Sequence, residues 1–396
     1  MNTSFAAAMR RASQETRAQN LTEATKLIQA ALAGRAGAAA ETSDAHEQPP
    51  ASLFLAGMSG KDEPNISEPK RQPLGETLRR LKTRNATLDS FSGLPGGAGA
   101  GAKARVDPAM PDGARFESRE FSCAAGARGY RLYVPASASA RPRGLIVMLH
   151  GCTQNPDDFA RGTGMNEEAE RRGFAVAYPA QTRSDNANGC WNWFEPKHQR
   201  RGGGEPAIIA GLTEAIVAEF GIDPQQVFIA GLSAGGAMAA VMGETYPELY
   251  AAIGVHSGLA TNAANDKVSA FAAKRGAGKA GRCAVPARYP GRTIVFQGGA
   301  DSTVHPSNAD QIVEAATPDA ASVSTRRIIA GGAQRRDVAV TVVADQAGET
   351  IAELWLVDGA GHAWSGGRAG GSFVDPTGPD ASSEMMRFFC QGTPSP

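Results

Sequence analysis

Seven short apolar runs in this 396-residue chain each close on glycine or proline. They are YRLYVP (Tyr130–Pro135), GLIVMLHG (Gly144–Gly151), FAVAYP (Phe174–Pro179), VFIAG (Val227–Gly231), AIGVHSG (Ala252–Gly258), TIVFQGG (Thr293–Gly299) and AELWLVDG (Ala352–Gly359). Several are apolar throughout rather than alternating, which suits strands buried on both faces. Helical segments lie between most of them, and AIIAGLTEAIVAEFG has helical periodicity and stops at Gly221. Strand-helix alternation of this kind predicts an α/β fold, a mostly parallel sheet flanked by helices. No repeat at a fixed period is visible.

Composition changes near residue 115. The stretch before it is rich in Ala, Gly, Pro, Ser and charge. It is expected to be a largely disordered or helical N-terminal extension, residues 1–115, ahead of a catalytic domain at 116–392. Within the extension, Leu21, Ala24, Leu27, Ile28, Ala31 and Leu32 share one helical face, and Gly93–Ala104 has linker composition. The helix could dock on a partner or pack on its own domain, and the sequence leaves both open. Forty basic residues balance forty acidic ones, so nothing global points to nucleic acid or an anionic membrane. No apolar stretch is long enough for a transmembrane segment. The short apolar patch at the start precedes Arg10 and Arg11, the reverse of a signal peptide's order. A cytoplasmic location is expected, with secretion lacking a recognisable signal peptide as the alternative. The five cysteines show no CxxC pair or zinc-type spacing. Neither a metal nor an organic cofactor is expected, and the cysteines are expected to be reduced thiols.

The chemistry concentrates at Gly231-Leu232-Ser233-Ala234-Gly235. A serine attacks only when its hydroxyl is exposed beside a base. A sharp turn between strand and helix presents it, and flanking glycines allow the close backbone approach. An apolar strand precedes this motif and a small-residue helix follows, so Ser233 is the candidate nucleophile. Of six histidines, His46 lies in the extension, His198 precedes the serine, and His150 and His256 end strands. His305 follows too closely on the acid strand and is better placed at the rim. His362, in a glycine-rich loop after AELWLVDG, is the preferred base. Asp301, after TIVFQGGA, is the preferred acid. Asp358 competes, but it is only four residues from His362. The order Ser233, Asp301, His362 is that of α/β-hydrolases. Backbone N–H groups of Ala234 and Cys152, the latter in LHGCTQN, are the candidate oxyanion donors. The Cys152 thiol is either inert or paired with Cys190. Trp191 and Trp193 in GCWNWFEP alternate, so one could pack inward and the other line a cleft. Trp191, Trp364 and Asn155 are the expected substrate-binding residues of an apolar aromatic cleft.

LHGCTQNPDDFARGTGMNEEAERRGFAVAYP, GCWNWF, IAGLSAGGAMAAVMGETYPELYAAIGVHSGL, FQGGADSTVHPSN and GAGHAWSGG together resemble the esterase family of poly(3-hydroxybutyrate) depolymerases, type 1 catalytic domain. The resemblance covers about residues 116 to 390. It implies an α/β-hydrolase fold and a serine esterase acting on short-chain polyhydroxyalkanoate esters. It carries nucleophile, acid, base and oxyanion cysteine onto Ser233, Asp301, His362 and Cys152. The stretch FAAAMRRASQETRAQNLTEATKLIQAAL resembles that of intracellular members. The expected partner is therefore a polyester or oligoester, with a polyhydroxyalkanoate granule surface as a further expectation. The same broad family grades into feruloyl and acetylxylan esterases, which supplies the alternative substrate. A non-enzymatic scaffold built on an inactive hydrolase is the remaining reading, and the filled triad positions argue against it.

Overall fold

The computed structural model describes residues 110–276, 291–317 and 323–391. The chain divides into two units, Met1–Gly96 and Gly97–Pro396, and every described residue belongs to the second. The expected Leu21–Leu32 helix and the 93–104 linker, with His46 and Cys283, lie outside the described residues.

Ten strands form one sheet: β1 (Arg115–Cys123), β2 (Gly126–Val134), β3 (Gly144–Leu149), β4 (Phe174–Pro179), β5 (Val227–Leu232), β6 (Ala252–His256), β7 (Arg292–Gly298), β8 (Val323–Ile329), β9 (Val338–Ala344) and β10 (Thr350–Val357). Their spatial order is β1-β2-β4-β3-β5-β6-β7-β10-β9-β8. The stretch from β4 through β10 is parallel, whereas β1–β2, β2–β4, β10–β9 and β9–β8 pair antiparallel. This is the expected α/β-hydrolase fold, with antiparallel strands at both edges. A further small pair, β11 (Trp364–Ser365) and β12 (Val374–Asp375), lies apart from the sheet.

The helices are α1 (Pro156–Thr163), α2 (Met165–Arg172), α3 (Gly204–Phe220), α4 (Ala234–Thr245), α5 (Lys267–Lys274), α6 (Ser307–Ala316) and α7 (Ala381–Phe389). Successive side chains on a strand point to opposite faces, and this period separates two cores. Leu145, Val147, Leu149 and Ile229 face one core with Ile209, Leu212 and Ile216 of α3. Ile146, Met148, Phe228 and Ala230 face the other with Met165 of α2 and Met385, Phe388 and Phe389 of α7. There Phe228 stacks on Phe389 with ring centroids 4.8 Å apart. Each such large apolar side chain stabilises the fold by roughly 1.5–3 kcal/mol through burial. Both faces being covered explains why β3 to β6 are buried at every residue. Parallel register also brings the carboxyl ends of β3, β5, β6, β7 and β10 to one edge. Leu149 pairs with Gly231, Leu232 with His256, His256 with Phe296, and Gly298 with Val357.

Candidate active site

Ser233 stands between the last residue of β5 and the first of α4. Its backbone sits at φ 58°, ψ −119°. Such a conformation costs on the order of 1–3 kcal/mol and persists only where its surroundings enforce it. Here Ser233 N–H donates to His256 O at 2.9 Å, and Ser233 O accepts from Ala237 N–H at 2.9 Å. The flanking glycines are steric necessities. A Cβ on Gly231 would overlap the Gly235 backbone, and one on Gly235 would overlap Leu149 O. Ala234 opens α4, so its N–H has no intrahelical acceptor and lies at the positive end of the helix.

Asp301 follows β7 and His362 follows β10. His362 Nδ1–H donates to Asp301 Oδ2 at 2.7 Å. Asp301 Oδ1 accepts from the N–H groups of Thr303 and Val304, each at 2.9 Å, and Gln297 Nε2 approaches Oδ2 at 3.2 Å. Burial alone would raise the Asp301 carboxyl. The His362 hydrogen bond and charge, with the two backbone donors, outweigh it and hold the carboxyl below its ordinary value. Asp358 is exposed, and its backbone N–H donates to Asp337 O. His256 is buried against Phe296 and Trp364 and accepts Ser365 N–H at Nε2. Burial, aided by the nearby His362, pushes it down to about 3. His305 Nδ1 is engaged with Ser307, and its backbone N–H donates to Lys274 O.

Beyond β3, residues 151–154 make a tight turn. Gln154 N–H donates to Gly151 O at 3.3 Å, and Thr153 takes a positive φ of 66°. Among the described residues the Cys152 N–H, in the middle of this turn, has no hydrogen-bond acceptor. The turn lies against Ser233, since a Cβ on Gly151 would stand 3.6 Å from Ser233 Cβ. Cys152 and Cys190 are joined by a disulfide, which corrects the expectation of reduced thiols for that pair. The turn brings the two Cα atoms to 4.2 Å. Cys123 and Cys390 take part in no disulfide among the described residues.

Residues 128–338 match the family described as "Esterase PHB depolymerase". That match is more than half the chain. The chain belongs to this family. Poly(3-hydroxyalkanoate) depolymerase C of Paucimonas lemoignei is 33% identical over 193 residues, 46% of this chain and 46% of that protein. A poly(3-hydroxybutyrate) depolymerase of Ralstonia pickettii is 30% identical over 275 residues, 63% of this chain and 54% of that one. A probable acetylxylan esterase A of Neosartorya fischeri is 30% identical over 195 residues, covering 45% and 51% respectively. The chain thus spans about half the length of the curated relatives it matches. Among solved structures, an acetyl xylan esterase from Aspergillus awamori aligns with a TM-score of 0.51 over 69% of this chain and 98% of that one. At 20% identity this likeness speaks for the shared fold alone.

In this member of the PHB depolymerase family, the expected aromatic cleft does not form from the expected residues. Trp191 and Trp364 are 0% and 1% exposed, so neither offers a surface to substrate. Trp191 Nε1–H donates to His150 O at 3.1 Å and braces the root of the 151–154 turn. Trp364 packs on Phe159 and His256 and donates to Ser382 Oγ. Long-range packing closes over both indoles. Asn155 caps α1, its side-chain oxygen accepting Asp158 N–H at 2.9 Å, which fits a helix start better than substrate contact. A cavity of about 560 Å³ is lined by Phe116, Tyr133, Ala160 and Glu170 among others, and includes none of Ser233, Asp301 or His362.

Sequence reasoning missed the polar groups that hold the site. Gln154 Oε1 accepts Gly151 N–H at 2.9 Å, while its amide donates to Asp158 and Ser372. His150 is buried and pushed down to about 4 by that burial, and its Nε2 accepts Gln181 N–H. The Gln181 amide reaches Cys190 O and Glu205. Glu205 also accepts Asn192 N–H and its side-chain amide, so one buried carboxylate organises the whole Trp191 loop. Burial raises Glu205 against these hydrogen bonds. Among the described residues no group of three His, Cys, Asp or Glu is arranged to hold a metal ion.

Proposed function

We propose that this protein is a carboxylic ester hydrolase using Ser233 as nucleophile, His362 as base and Asp301 as the orienting acid. The observation that carries the reading is the part-buried Asp301–His362 hydrogen bond of 2.7 Å at the sheet edge where Ser233 occupies its strained turn. Asp301 accepts from Nδ1–H, which leaves Nε2 as the basic nitrogen. Ser233 Oγ makes no side-chain hydrogen bond among the described residues, and on this reading it comes within hydrogen-bond reach of Nε2 when substrate fills the site. Nε2 takes the hydroxyl proton as Oγ bonds to the ester carbonyl carbon, and the carbonyl oxygen becomes an oxyanion. The N–H groups of Cys152 and Ala234 stabilise that charge. The imidazolium, stabilised by Asp301, gives its proton to the departing alkoxide. Water, deprotonated by the same nitrogen, then attacks the acyl-enzyme and releases the acid and Ser233.

The substrate we favour is poly(3-hydroxybutyrate) or its oligomers, supported by the family and by the two depolymerase relatives. An acetylated or feruloylated polysaccharide is the second reading, supported by the acetylxylan esterase relatives. Soluble products from amorphous poly(3-hydroxybutyrate) and acetate from acetylated xylan, measured side by side, separate the two. Ser233→Ala is expected to abolish both releases with the circular dichroism unchanged. Retention of more than a few per cent of activity would remove Ser233 from the role.

A further inference from the structure

Phe373 combines two features that ordinarily count against a residue. It is a large apolar side chain left 36% exposed, and its backbone is held at φ 52°. A bulky residue in the left-handed region is strained, and glycine would sit there freely. Among the described residues its ring stacks on no other aromatic ring and no cation. The strain is imposed, because both peptides flanking Phe373 are pinned. Ser372 O, in the peptide leading into Phe373, accepts from Gln154 Nε2 at 3.1 Å. Phe373 O accepts from Trp364 N–H at 2.7 Å, and Val374 pairs with Trp364 across β11–β12. Ser372 N–H is further held by Asp158 Oδ1 at 3.0 Å.

These anchors lead straight to the site. The Gln154 side chain that holds the peptide before Phe373 holds Gly151 N–H with its other end, one residue from Cys152. Trp364, which holds the peptide after it, lies two residues past His362. The backbone around Phe373 is therefore tied on one side to the 151–154 turn and on the other to the segment that follows His362. Strain and apolar exposure that coincide at one such position point to a role in binding.

We infer that Phe373 is a substrate-binding, specificity-determining residue, its ring receiving the apolar chain of the bound ester. The inference rests on the serine-esterase reading above. Its ring supplies a wall that Trp191 and Trp364, being buried, do not. Esters extended beside the carbonyl depend on it, and esters too small to reach it do not.

The test compares Phe373→Gly, Phe373→Leu and Phe373→Tyr with the parent on methyl acetate and on p-nitrophenyl hexanoate. Phe373→Gly is expected to raise KM for the hexanoate about tenfold, the order of one lost apolar contact, with kcat little changed. Methyl acetate kinetics stay at the parent level. Phe373→Tyr restores the hexanoate KM, and Phe373→Leu restores part of it. An unchanged circular dichroism spectrum and fluorophosphonate labelling of Ser233 in Phe373→Gly show that its weaker binding is not a folding defect. Unchanged hexanoate kinetics in Phe373→Gly, in a protein whose Ser233 is labelled by a fluorophosphonate, would overturn the inference alone. A parent in which Ser233 takes no label would overturn the esterase reading, and the inference with it.

Discussion

Cutting the Cys152–Cys190 disulfide should damage stability and catalysis by separable amounts. The bridge spans 38 residues. Closing a loop of that length removes denatured-chain entropy worth about 4 kcal/mol at 25 °C on the chain-entropy account. In Cys190→Ser, unfolding by urea should lose that much, a fall in Tm of about 7 °C for a domain of this size. The catalytic effect should be smaller than losing an oxyanion donor outright, which costs about 10²–10³ in kcat. The turn keeps three other anchors: Gly151 N–H on Gln154, Thr153 N–H on Asn188 O, and Trp191 Nε1–H on His150 O. A loosened donor with those anchors intact predicts a kcat lower by about tenfold, with KM nearly unchanged, because the donor acts on charge present only in the transition state. Stopped assays on p-nitrophenyl acetate measure the kinetics, and intrinsic fluorescence follows unfolding. Cys123→Ser, at an exposed free thiol, is the control and should do neither. A Cys190→Ser protein with kcat within twofold of the parent would show that the bridge does not hold the donor. A stability loss under about 1 kcal/mol would refute the entropic argument.

Two further outcomes follow from the site's electrostatics. Asp301→Asn keeps the shape but can present an N–H to His362 Nδ1, selecting the wrong tautomer. Its kcat should fall about 10³–10⁴-fold, and a loss under tenfold would remove Asp301 from its orienting role. Acid should unfold the domain through His150 and His256, whose folded pKa values of about 4 and about 3 lie below the ordinary 6.5. The unfolded chain takes up protons below pH 6.5 that the folded chain refuses until pH falls to about 4 or 3, so stability drops as pH falls through that window. At pH 4.5 the two histidines together should cost about 5 kcal/mol relative to pH 7, and equal urea midpoints at the two pH values would contradict their neutral burial.

The parts of the fold that could be read from the chain are those where burial writes a local pattern. Runs such as GLIVML and VFIAGL are apolar throughout because helices cover both faces of β3 and β5. The outer strands carried no such signal. β8 is exposed at every residue and β1 at no residue buried, so neither needs the apolar pattern that marks a strand. The same distinction governs the site. Ser233 shows itself because a strained turn between strand and helix demands glycines at fixed offsets. Gln181 and Glu205 leave no such mark, because their pairing depends on how the loop after β4 folds back onto the first turn of α3, 24 residues further on. The tryptophans show the converse error. An indole beside a catalytic motif has one sequence signature whether it lines a cleft or supports the loop that does. Only the packing over Trp191 and Trp364 separates the cases, and it moves the exposed aromatic role to Phe373, where glycine is what the backbone alone would choose.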